Sequence, residues 1–373
     1  MTVQTGRVRK TSRRMADGRE IIYFDDTPPY PAREAVDTRP LPPADEQPTP
    51  QMRFDPLTGE WIAVAAARND RTFLPAADQD PLSPTVPGGF PTEIAESDYD
   101  VVVFENRFPS FSPRATEPAS AIDGDPLWPV RPASGRTEVV VFSSEAQGSF
   151  GSLSASRART VIDAWADRTT ALSEVPTVEH VFIFENRGRE IGVTLPHPHG
   201  QIYAFPFVPP KMTTMLARAA AHTRETGRNL FRDVLDAERK AGTRVVASSA
   251  HWTAYVPAAA RWPVEVHLAP NRDVADLPAL TDEERDDLAV VYLDVLGRLD
   301  RYYPGVDTLP YISGVFQAPV TRDRDLFRLH LQVFSILRAP GKLKYLAGVE
   351  SAMASWVNDT TPEQVAARLR EVA

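Results

Sequence analysis

The residues best suited to chemistry stand together at His197-Pro198-His199-Gly200-Gln201. Alternate residues of an extended strand share a face, so His197, His199 and Gln201 are expected to project together. Pro198 then sits at the strand entry, where its missing N–H does little harm. A free imidazole, with a pKa of about 6.5, is largely neutral at pH 7 and is a competent nucleophile. Attack on phosphorus gives a phospho-imidazole that can pass its group to a second acceptor, so one hard displacement becomes two easier ones. The Gln201 amide can donate to a phosphoryl oxygen, and the Gly200 N–H can help because no Cβ holds a phosphate away. Two histidines at this spacing also suit a metal pair, or strand residues satisfied by their neighbours. The complete five-residue string favours nucleophilic phosphorus chemistry, with His199, Gln201 and His197 as the catalytic set.

Those residues need a strand, and β-rich runs bounded by Pro, Gly, Asn or Asp recur at 99–104, 138–142, 178–184, 201–207, 244–256, 264–268, 311–316 and 329–337. Helical stripes fall between clusters of strands, at 154–173 and at 211–240 with a break at Gly227. Thr281 with Glu284 has capping-box spacing, and Thr361 with Pro362 and Gln364 marks another helix start. Strand clusters with helices between them predict an α+β fold with antiparallel sheets. Phe104-Glu105-Asn106 recurs as Phe184-Glu185-Asn186, and the histidine string has an echo at His330-Leu331-Gln332-Val333-Phe334. A duplicated unit follows, with one copy keeping its polar residues. The predicted division is a Pro-rich arm over 1–52, a half over 53–208 carrying the histidine string, and a half over 209–373 with a degenerate motif.

Composition narrows the function classes. Forty-one Lys+Arg against 50 Asp+Glu give a net charge of −9, which argues against a nucleic-acid or membrane-surface binder. No cysteine is present, so thiol catalysis, disulfides and iron–sulfur clusters are excluded. No long apolar window predicts a membrane span, and the basic N-terminus lacks an apolar leader core, so a cytoplasmic location is expected. The two common Gly-rich phosphate loops are missing. Of the other histidines, His180 and His222 read as satisfied or surface residues and His267 as structural.

At the histidine string the sequence resembles galactose-1-phosphate uridylyltransferases, a branch of the histidine-triad (HIT) superfamily. Further matching segments are residues 53–62, Asn106-Arg107-Phe108, Phe184-Glu185-Asn186, residues 251–265, and Gly341 through Glu350. The resemblance implies a HIT-like α+β fold of two tandem antiparallel-sheet-plus-helix halves. It implies an enzyme that binds UDP-glucose, takes the uridylyl group onto His199 and releases glucose 1-phosphate. Galactose 1-phosphate then accepts the group as UDP-galactose. By the match, Asn106, Arg107, Phe108, Asn186, Gly192 and Thr194 line the nucleotide and phosphate path. Arg68 and Arg71 supply cationic contacts across a homodimer interface with shared active sites, and Lys344 and Glu350 hold the hexose. Two alternatives stay open: an adenylyl- or other nucleotidyltransferase or phosphorylase acting on a sugar phosphate, and a catalytically silent sugar-nucleotide-binding paralogue.

The sequence departs from that family where metals are concerned. The resemblance implies a zinc site made of two cysteines, a further histidine and the first histidine of the string. Asp80, Ser83 and Ala146 stand at the first three of those positions, leaving His197. At a second implied metal site, ligands are replaced around Met215, Phe316 and Gln332, and apolar packing is expected to fill the space. The expectation is no bound metal or other cofactor, with His197 as a substrate-side or supporting residue; Asp80 with a hard cation is the other reading.

Overall fold

Val, Ile, Phe and Tyr recur at strand spacing along most of the chain, and in the computed structural model nearly every such run is a strand; residues 2–5, 7–71 and 74–373 are described. In chain order the strands of the first half are β1 Thr2–Thr5, β2 Val8–Arg14, β3 Glu20–Asp25, β4 Gln51–Asp55, β5 Glu60–Val64, β6 Val101–Glu105, β7 Val130–Pro132, β8 Arg136–Val141, β9 His180–Arg187 and β10 His199–Phe205. The second half supplies β11 Val245–Ser248, β12 Trp252–Tyr255, β13 Val264–Pro270, β14 Tyr311–Phe316, β15 His330–Ser335, β16 Leu337–Ala339 and β17 Lys342–Leu343. The helices are α1 Ala155–Ser173, α2 Pro210–Thr226, α3 Leu230–Ala241, α4 Asp282–Asp300, α5 Gly348–Ser351 and α6 Pro362–Glu371.

Twelve strands form one sheet in the order β1-β2-β3-β6-β8-β10-β9-β14-β15-β13-β12-β11. The two halves join at the antiparallel pair β9–β14, in which Ile312 faces Asn186. Outward from that pair the order is β10, β8, β6 on one side and β15, β13, β12 on the other. Each side is two strands, a 19-residue helix and two strands in sequence, so the halves are copies related by a pseudo-two-fold at β9–β14. α1 and α4 share one core cluster with the inward residues of both halves, for instance Val103, Ile202, Val266 and Leu331. The capping box at Thr281 and Glu284 forms as its spacing predicts.

The N-terminal segment differs from the extended arm predicted over 1–52. β1, β2 and β3 lie within it, and β3 pairs with β6 through Ile21–Phe104 and Ile22–Val103. Ile21, Ile22, Tyr23 and Phe24 are buried. The polar run of β2 carries little periodic signal, because its place in the sheet is set by pairing with β3 rather than by its own apolar face. Residues 27–49 do run without strands over the body. Arg33 pairs there with the Asp25 carboxylate, and Arg39 binds Glu93 at 3.1 Å.

Candidate active site

β10 alternates strictly: Gly200, Ile202 and Ala204 are buried toward the helical face, while His199, Gln201 and Tyr203 are partly open on the other. The expected shared face therefore holds for His199 and Gln201. His197 lies ahead of the strand, and its ring is buried. The reason for glycine at 200 also differs from phosphate access. A Cβ there would come within 3.0 Å of both the Phe142 ring and the Phe184 carbonyl oxygen, so the position is fixed by packing on the helical side.

The Nδ1–H of His199 donates to the His197 carbonyl at 2.7 Å. This commits the hydrogen to Nδ1 and leaves the Nε2 lone pair, which has no hydrogen-bond partner among the described residues, as the free edge of the ring. Burial, helped by the nearby His197 ring, lowers the His199 pKa, so the neutral nucleophilic form is favoured.

Two adjoining cavities, of about 170 and 140 Å³, meet at His199 and Leu195. Arg68, Arg71, Asn106, Arg107 and Phe108 wall the smaller one, Thr194 closes it, and His199 with Gln201 forms its floor. The wall is internally braced. Asn106 Oδ1 accepts the Phe108 N–H at 2.8 Å, and Arg68 Nη1 donates to the Phe108 carbonyl at 3.0 Å. Asn186 lines the other cavity with His197 and His199. The two arginines expected to reach across a subunit interface thus share a cavity with His199 of their own chain. Gly192 lines neither cavity; its left-handed φ of 83° closes the turn Arg189–Ile191. Lys344 and Glu350 do not border His199 either. They are buried against each other at 3.5 Å, and Lys344 Nζ donates to the Arg261 carbonyl at 2.8 Å.

Three acids have roles at the site that the reading of the sequence did not assign. Glu93 lies in the wall, accepts Arg19 Nη2 at 2.7 Å and stands 4.0 Å from Arg107, so the N-terminal meander braces the site. Burial would raise its pKa, but Arg19 and Arg39 hold it below the usual range. Glu185 lines the second cavity and accepts the Tyr311 hydroxyl at 2.9 Å. Burial pushes its carboxyl up to about 7. Asp80 accepts His197 Nδ1–H at 2.6 Å. Glu93 and Asp80 come from chain segments more than a hundred residues before the histidine string, and Glu185, though in the Phe-Glu-Asn repeat, has its role set by Tyr311 across the sheet.

The second half holds a muted copy of the site. Gln332 faces His267 as Gln201 faces Val139, and His267 faces Tyr255 as Val139 faces Phe104. His330 is thus the counterpart of His199, and its Nδ1 likewise donates to the carbonyl two residues back, at 3.0 Å. Here, however, the Gln332 amide donates to His330 Nε2 at 3.1 Å, capping the lone pair. Phe316 stacks on the ring at 5.2 Å, and Met215 packs in the same apolar cluster, as the exchanged ligand positions predict. A larger cavity of about 900 Å³ opens over this half, but the histidine at its floor is spent.

The galactose-1-phosphate uridyl transferase N-terminal domain matches residues 39–209, and the C-terminal domain of the same family matches residues 216–373. The chain belongs to the galactose-1-phosphate uridylyltransferase family. A galactose-1-phosphate uridylyltransferase from Streptomyces lividans is 45% identical over 378 residues, 98% of each chain. One from Thermotoga maritima is 34% identical, over 86% of this chain and 98% of its own. A solved structure of a uridylyltransferase superposes with a TM-score of 0.77 at 32% identity, covering 86% of this chain and 98% of that one.

The residues at the implied zinc positions do not suit a metal. Asp80 and His197 are bonded to each other, and both ring nitrogens of His197 face oxygen acceptors, Asp80 at 2.6 Å and the Ser143 carbonyl at 2.8 Å. Ser83 donates to Asp80 at 2.7 Å, and Ala146 has no donor atom. No group of three His, Cys, Asp or Glu side chains converges among the described residues.

Proposed function

We propose that this protein is a hexose-1-phosphate uridylyltransferase that works through a covalent uridylyl-His199. The His199 Nε2 lone pair attacks the α-phosphorus of UDP-glucose. A P–N bond forms, the P–O bond to the β-phosphate breaks, and glucose 1-phosphate leaves with that electron pair. The ring then carries a positive charge, and the His197 carbonyl that accepts Nδ1–H stabilises it. Gln201 and the wall arginines hold the phosphoryl oxygens. A phosphate oxygen of galactose 1-phosphate next attacks the same phosphorus, the P–N bond breaks, and UDP-galactose and neutral His199 result. The observation that carries this reading is the free Nε2 edge of His199 beside Gln201 in a cavity walled by Asn106, Phe108 and arginines.

The test uses UDP-glucose labelled in the uridylyl phosphate, quenched and examined for an acid-labile, base-stable adduct. We expect about one adduct per chain, discharged by galactose 1-phosphate, absent in His199→Asn, with turnover down by about 10⁴-fold or more. An adduct only with ADP-glucose would instead indicate a different nucleotidyltransferase, and none with any nucleotide a silent binder.

Three further parts belong to this proposal. No transition metal takes part, which stoichiometric zinc or iron in purified protein would contradict. The protein acts as a homodimer in the cytoplasm. The segment after Lys344 supports a dimer, since Tyr345 and Met353 are each 74% exposed beside Leu346 and Val349. Lys344 and Glu350, which line neither cavity at their own His199, would then serve the partner's hexose. Light scattering that shows an active monomer would overturn this. No described helix is long and apolar enough to cross a membrane.

A further inference from the structure

The buried histidine ahead of the nucleophile is held from three directions. Its Nδ1 lies 2.6 Å from the Asp80 carboxylate, and its Nε2 lies 2.8 Å from the Ser143 carbonyl oxygen, just beyond β8. Tyr99 Oη lies 3.2 Å from the same Nε2 and spends its own hydrogen on the Leu82 carbonyl at 2.6 Å. Asp80 is itself fixed, accepting the Leu82 N–H at 3.0 Å and the Ser83 hydroxyl at 2.7 Å. Both Asp80 and His197 are buried, so water cannot easily replace these bonds. The fixed ring in turn fixes its own peptide, whose carbonyl takes the His199 Nδ1–H at 2.7 Å. Only two bonded links therefore separate the carboxylate from the nucleophile.

We propose that Asp80 is a positioning residue for the transfer reaction: through the His197 ring and peptide it aims the His199 lone pair and selects its tautomer. The network occupies the place where the resemblance implies a metal, and these residues do not suit one. Hydrogen bonds between the 80–83 turn, Tyr99 and Ser143 thus do the orienting. Asp80 lines neither cavity, and Arg68, Asn106 and Phe108, which wall the smaller one, make no hydrogen bond to it. The effect belongs to the bond-making step, because misplacing an attacking atom by about 1 Å costs on the order of 100-fold in rate.

The proposal rests on the uridylyl-histidine reading, so one measurement is independent of it. In protein labelled with nitrogen-15 in histidine, the ring shifts of His199 report which nitrogen carries hydrogen. The wild type is expected to show the Nδ1–H form, and Asp80→Asn and Asp80→Ala a mixture of both forms. In single turnovers with UDP-glucose, adduct formation should fall about 10- to 100-fold in Asp80→Asn while KM for UDP-glucose moves less than about threefold. Asp80→Glu should recover part of the rate. Should Asp80→Ala fail to fold, Ser83→Ala, which removes one bond to the carboxylate, should still slow adduct formation by about 2- to 5-fold. Unchanged tautomer and unchanged adduct rate in Asp80→Asn would overturn the proposal, as would a rate loss matched by an equal loss of UDP-glucose binding. Absence of any adduct in the wild type would sink the transferase reading and leave the tautomer result to decide the positioning role.

Discussion

At the scale of single residues, burial without a partner has measurable consequences. His180 is fully buried, stacks near Phe205 at 6.5 Å between centroids, and neither ring nitrogen has a hydrogen-bond partner among the described residues. It is neither the satisfied nor the surface residue that its alternation suggests. Burial pushes its pKa down to about 4. Its stabilising effect is present above the unfolded value of about 6.5 and is lost as pH falls toward 4. His180→Phe should therefore gain about 2 kcal/mol over the wild type at pH 5 compared with pH 8, measured by urea unfolding at both. Glu185 runs the other way. Its carboxyl, raised to about 7, favours the fold while protonated, and that contribution is lost as pH rises from about 4.5 through 7. Glu185→Gln should flatten that part of the stability–pH curve. Gly200→Ala should cost about 1–3 kcal/mol, because the Phe184 carbonyl it meets is sheet backbone and cannot yield; thermal unfolding reads this directly.

Elements were legible in proportion to how much of their signal is local. The caps at Thr281 and Thr361 were readable because a cap is a contact three residues long, and both form. Thr281→Ala should cost about 1 kcal/mol, read as a lower urea midpoint. The break at Gly227 likewise appears, with the glycine in the left-handed region at φ 73°. Run 244–256 is instead two strands, since Ser249 turns the chain, its hydroxyl accepting the Trp252 N–H at 3.0 Å. The strands before residue 26 were illegible because β3 gains its burial from β6 and β2 takes its place from β3. Removing residues 2–25 should bare the β6 edge, whose five residues are all buried, and should appear as aggregation in light scattering.

For the whole molecule, the joint between the halves is the governing feature. A boundary near residue 209 divides the chain in sequence, yet β9–β14 makes the two copies one sheet, and α1 lies on α4 in one core. A fragment ending at residue 209 would expose the β9 edge and half of that core. It should fail to give a cooperative unfolding transition alone, and recover one only when the complementary fragment is added. The duplication also explains why the second histidine string looks degenerate. Its strand registers and its Nδ1 hydrogen bond survive, but an amide and three phenylalanines surround the ring of His330, whose counterpart in His199 is open at Nε2.

The sequence by itself determined the α+β alternation, the duplication, the helix caps and the strand face shared by His199 and Gln201. Each of these is written in residues that are neighbours, or spaced by one strand or helix period. Only the tertiary structure decided that His197 turns inward to Asp80, that Arg68 and Arg71 share a cavity with their own chain's His199, and that Lys344 and Glu350 do not. It alone also placed Glu93 and Glu185 at the cavity walls. These pairings join segments up to more than a hundred residues apart, as with Asp80 and His197. They depend on which strands meet in the sheet, and no local period records that choice.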